Sequence, residues 1–102
     1  MTANEMFLQK YREWLQRMTK REWQNIKVYA EAKKMSIPDY MMMCLEITES
    51  DYKKDTELRD ELWKMNAEKL IASNKHRQEH GHINRFWLTK KGLKQFNAIY
   101  NA

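Results

Sequence analysis

His76, His80 and His82 stand at H-x3-H-x-H spacing in a polar stretch that also holds Gly81. Imidazole nitrogen suits zinc, so this is the chain's nearest approach to a metal site. A closed site needs a fourth ligand, and Cys44 is far away in sequence. Polar turns commonly carry such histidines, so no metal site is expected and no cofactor is implied. Protonation below their ordinary pKa of about 6.5 would still add positive charge to the segment. Glu79 and His80 are adjacent, but no third group positions them. The sequence has no Gly-rich phosphate loop, nucleophile elbow or HExxH pattern. The chain is therefore expected not to be an enzyme.

The same stretch offers a second chemistry. Lys75, His76, Arg77, Gln78, Asn84 and Arg85 are donors suited to phosphate oxygens or base edges. Lys90 and Lys91 follow them, and Lys53, Lys54, Arg59 and Lys64 precede them, which makes twelve candidate DNA contacts. Charge is segregated along the chain. Residues 46–61 hold seven acids against three bases, whereas residues 64–95 hold eight bases against two acids. The formal net charge of +5 is compatible with a nucleic-acid partner without demanding one.

The elements that must position these residues read as one mainly helical domain, 1–102. Two glycines and one proline are too few for a turn-rich sandwich. Thr2-Ala-Asn-Glu5, Thr19-Lys-Arg-Glu22 and Ser36-Ile-Pro-Asp39 each place a hydroxyl cap before an acid in the first helical turn. The first helix, about 4–18, sets Phe7, Tyr11, Trp14, Leu15 and Met18 on one face. A second spans about 20–34 and offers Trp23, Ile26 and Ala30. A third spans about 37–47. The acidic stretch Thr48–Asp55 reads as a loop or as the opening turns of a fourth helix, which runs to about Lys69. Leu70–Ser73 and Ile83–Leu88 are strand-like around the polar turn. Thr89 caps a last helix carrying Leu93, Phe96 and Tyr100.

This order resembles the winged helix-turn-helix superfamily, and most nearly small bacterial or phage regulators of the MarR and PadR kind. Leu62-Trp-Lys-Met65-Asn-Ala-Glu-Lys69-Leu70-Ile71 looks like a recognition helix running into the first wing strand. Phe86-Trp-Leu-Thr-Lys-Lys-Gly-Leu-Lys-Gln-Phe96 looks like the second wing strand entering a helix at a Leu-Thr-x-x-Gly step. Element order matches over residues 20–96, and motifs over about 58–96. The resemblance implies a winged helix-turn-helix with added N- and C-terminal helices. It also implies a recognition helix in the major groove and a wing on backbone phosphate or the minor groove. Three features depart from the pattern. The recognition helix carries Glu57, Asp60 and Glu61, Lys69 stands where glycine is frequent, and the step from the third to the fourth helix is long.

A transcriptional regulator binding double-stranded DNA is the first expectation. In the resembled regulators terminal helices build a homodimer, which here would use Phe7, Tyr11, Trp14, Phe96 and Tyr100. The alternative is an adaptor or inhibitor that binds a protein through Tyr52, Trp63 and the acidic helix. A replication or packaging accessory factor is a weaker third. One cysteine, Cys44, excludes an internal disulfide and fits a reducing cytoplasm, and its methionine neighbours point to burial. No apolar run approaches the length of a membrane span, so no membrane partner is expected.

Overall fold

Hydroxyl caps open the first three helices of the computed structural model, which describes residues 1–74 and 85–100. Helices α1 (Ala3–Arg17), α2 (Lys20–Ala32) and α3 (Ile37–Cys44) begin as the sequence predicts. The side chains of Thr2, Thr19 and Ser36 accept from the amides of Glu5, Glu22 and Asp39 at 3.1, 3.1 and 3.2 Å. Each satisfies one orphan amide of a first turn.

The third helix stops earlier than its pattern predicts. Leu45 is extended, and Glu46–Ile47 form strand β1. The acidic stretch after it is neither a plain loop nor the start of the next helix. Glu49–Tyr52 form a one-turn helix α4, residues 53–55 turn, and α5 runs from Thr56 to Ala67. What read as a long connection thus holds a strand and a helix, and the turn between α4 and α5 is short. Tyr52 is buried, its ring edge-on to Phe86 with centroids 5.7 Å apart. The exposed aromatic spot expected of Tyr52 is not there, because the ring fills the core. Trp63 is half-buried and meets Phe86 at 5.1 Å in a T-shaped pair.

Strands β2 (Ile71–Ser73) and β3 (Phe86–Leu88) pair antiparallel, with Ile71 opposite Leu88 and Ser73 opposite Phe86. Beyond them Asn74 and Arg85 also bond, the Arg85 amide donating to Asn74 Oδ1 at 2.7 Å. The predicted hairpin's strands are thus paired, though its turn lies outside the described residues. β1 adds on the other side of β3, giving the order β1-β3-β2. One face of this small sheet is apolar: Ile47, Phe86, Leu88 and Ile71 are buried against Phe7, Leu58, Leu62 and Phe96. Helix α2 lies along α3, where Ile26 and Ala30 bury their side chains.

Helices α2 and α5 end in the same way. Lys34 and Lys69 follow the C-caps with φ of 56° and 63°, the left-handed region that favours glycine. The next amide reaches back in each case, Met35 to the Ala30 carbonyl at 2.9 Å and Leu70 to the Met65 carbonyl at 3.0 Å. Lys69 thus occupies a glycine-type position in conformation.

Helix α6 (Lys90–Tyr100) closes over the second of these ends. Thr89 Oγ1 lies 2.7 Å from the Lys69 carbonyl and accepts from the Gly92 amide at 3.1 Å. A Cβ on Gly92 would stand 1.8 Å from the Leu70 carbonyl oxygen, so only glycine permits this approach.

Candidate nucleic-acid interface

Helix α5 is amphipathic, and its inward stripe decides what it offers outward. Leu58 and Leu62 are buried and Met65 half-buried. Thr56, Asp60, Lys64 and Ala67 recur at helical spacing on the exposed side, flanked by Arg59 and Glu57. Two of the predicted contacts, Arg59 and Lys64, therefore lie exposed along α5.

The acids that crowd residues 46–61 are mostly committed within the fold. Asp55 Oδ1 accepts from the Leu58 amide at 3.0 Å and caps α5. Glu61 Oε2 turns back to the Ala3 amide at 3.1 Å and serves the start of α1. Asp51 Oδ2 accepts from the Thr48 amide at 2.7 Å and the Lys10 ammonium at 2.9 Å. Burial pushes the Asp51 carboxyl up, but those partners outweigh it and hold it below its usual range. Glu46 pairs with Arg85 at 3.5 Å, both sides part-exposed, a bridge of small net worth. Glu57 and Asp60 remain exposed carboxylates of α5.

The other predicted contacts fall into three places. Lys53 and Lys54 are exposed in the α4–α5 turn. Lys53 and Arg85 line one open depression of about 440 Å³ with Thr48, Glu49 and Ser50. Lys90 is exposed at the start of α6, whereas the Lys91 ammonium donates to the Glu68 carbonyl at 3.2 Å. Lys91 thus neutralises the negative end of α5. Lys75, His76, Arg77, Gln78 and Asn84 lie outside the described residues, as do the histidine triplet and Glu79. Among the described residues no three potential ligands converge on a metal position.

The expected dimer set divides by burial. Phe7 and Phe96 are buried in this chain's own core, at 0% and 3% exposure, so their rings are not offered to a partner. Tyr11, Trp14 and Tyr100 stay part-exposed, with the Trp14 indole donating to Glu22 at 3.4 Å and Tyr100 against Phe96. Cys44 is exposed, not buried as its neighbours implied, because α3 turns Met41 and Met42 inward instead. Thr89 caps α6 as the sequence predicts; the roles of Lys10 and Gly92 escaped the sequence reading, in which Gly92 figured only in the Leu-Thr-x-x-Gly step. Among the described residues no helix is long and apolar enough to cross a membrane.

No protein-family model matches this chain, and no curated protein or solved structure matches it.

Proposed function

We propose that this chain is a small winged-helix protein that binds double-stranded DNA as a transcriptional regulator, with α5 as the recognition helix. The observation that carries the reading is topological. The order α3-β1-α4-α5-β2-β3, with strands arranged β1-β3-β2 and a short turn between α4 and α5, supports reading α4 and α5 as a helix-turn-helix backed by a wing. The disposition of acids supports it: Asp51, Asp55 and Glu61 serve internal bonds and leave Arg59 and Lys64 on the outward face. Lys53, Lys54 and Arg85 flank that face as phosphate contacts. A dimer in the cytoplasm, the usual form of such a regulator, would draw on Tyr11, Trp14 and Tyr100.

A protein-binding adaptor is the second reading. It is favoured by the balance on α5, where Glu57 and Asp60 offset Arg59 and Lys64. A salt titration of arbitrary duplex binding separates the two. Arg59→Ala with Lys64→Ala should weaken binding across sequences and lower the slope of log K against log salt by about 0.9 per lost phosphate contact. Glu57→Gln with Asp60→Gln should strengthen binding at low salt, an effect that screening removes. Glu61 is left out of that variant because it caps α1. No duplex binding at low salt, or a slope unchanged in the double alanine variant, would favour the adaptor.

A further inference from the structure

We propose that the cleft at the α1–α2 elbow receives an acidic amphipathic helix of a partner protein. Leu15, Met18 and Trp23 line it with Thr19, Lys20 and Gln24, enclosing about 310 Å³. Leu15 and Trp23 stay 41% and 40% exposed, while Phe7 on the neighbouring face of α1 is wholly buried. Adjacent apolar side chains left open around a concavity mark a contact surface, unlike apolar residues scattered singly.

Charge selects the occupant. The α1–α2 hairpin, residues 3–32, holds six bases against four acids, and three of those bases border the cleft. Helical spacing sets Arg12 one turn before Leu15 and Lys27 one turn after Trp23, while Lys20 lines the cleft itself. All three are exposed, and none enters an ion pair among the described residues. Glu22 is turned toward α1, where it accepts from the Trp14 indole. An apolar cleft with a cationic rim matches a helix carrying apolar anchors one turn apart and carboxylates beside them. Met18 can adapt its side chain to the anchor's shape. Duplex DNA offers a regular anionic surface but no anchor of that kind. The cleft is built from α1 and α2, so the proposal does not rest on DNA binding by α5.

The probe is a short designed helical peptide with leucines at i and i+4 and flanking glutamates, titrated with the full chain by fluorescence anisotropy. Saturable binding is expected that weakens with salt and falls about tenfold or more in Trp23→Ala. Lys20→Glu with Lys27→Glu, an all-surface variant, should lose a comparable factor, and circular dichroism checks that both variants stay folded. The same peptide with lysines for glutamates, or serines for leucines, should bind at least about tenfold more weakly. No saturable binding of the acidic peptide, or equal binding of the basic one, overturns the proposal. So does a thymidine oligonucleotide that binds more tightly than the peptide and depends on Trp23, which would make the cleft a base-stacking site. A dimer in sedimentation that Trp23→Ala dissociates would likewise overturn it, in favour of a second copy of the chain.

Discussion

The C-terminal ends of α2 and α5 share one local design and differ in what surrounds it. Each places a lysine at positive φ, and each sends the following amide back to a carbonyl of the last turn. Beyond Lys34 the chain simply enters the Ser36 cap of α3. Beyond Lys69 it meets three further constraints: the Thr89 hydroxyl on the Lys69 carbonyl, the Lys91 ammonium on the Glu68 carbonyl, and the close approach of Gly92. One end is a connector and the other is a joint. The joint fixes α5 against β2 and α6, which is what a helix needs if it is to present a face at a set angle to a partner.

The largest effect that this contrast predicts is at Gly92. The atom that an added Cβ would strike is a backbone carbonyl, which cannot rotate aside as a long side chain could. Gly92→Ala should therefore cost about 3 kcal/mol or more, at or beyond the upper end of ordinary overpacking. Thermal melts followed by circular dichroism measure it. A variant within about 1 kcal/mol of the parent would show that α6 can shift, and the joint would be no stiffer than the connector.

What the sequence disclosed follows the range of the interactions. The caps at Thr2, Thr19 and Ser36 bond within one turn, so their spacing was enough to place three helix starts. The β2–β3 pairing was marked by apolar residues leading into β2 and aromatic ones on β3. β1 was not legible, because two residues show no alternation and Ile47 reads equally well as the end of α3. The acids of residues 46–61 read as one charged face, yet their partners are remote: Glu61 serves Ala3, and Asp51 serves Lys10. Tyr52 looked exposed for the same reason, since nothing local announces Phe86 as its neighbour. The positive φ of Lys69 was not legible, because nothing in the sequence around a lysine announces a left-handed backbone.

A middle-sized effect tests whether the α4–α5 pair is also held at its other end. Asp51 ties α4 to α1 through Lys10, and no ion pair among the described residues anchors α2. Its folded pKa lies below the ordinary 3.8. A depressed carboxyl contributes stability that is fully present above its unfolded value and is lost as pH falls through the folded one. Asp51→Asn should therefore cost about 1 kcal/mol near neutrality, in the range of a lost cap. It should also flatten the acid limb of stability below about pH 4. Urea titrations of both proteins between neutral pH and that limb check it. An unchanged acid limb would mean that other carboxylates govern acid unfolding and that the α1–α4 tether is weak.

The smallest effect is the sharpest comparison, because it asks whether the two lysines at positive φ carry the same strain. A left-handed backbone costs a residue with a Cβ roughly 1–2 kcal/mol, and glycine escapes that cost. Glycine also gains freedom in the unfolded chain, which takes back about 0.4–1 kcal/mol. Lys34→Gly and Lys69→Gly should each stabilise the chain by about 0.5 kcal/mol, a rise in Tm of roughly 2–4 °C for a domain of this size. The strain belongs to the residue's own backbone, so the extra bonds around Lys69 should not change its size. Equal gains would confirm that the two ends share one local design and differ only in the packing placed on top of it. A gain at Lys34 with none at Lys69 would show that the Thr89 and Lys91 contacts have already relaxed that backbone, and the difference between connector and joint would then begin within the turn itself.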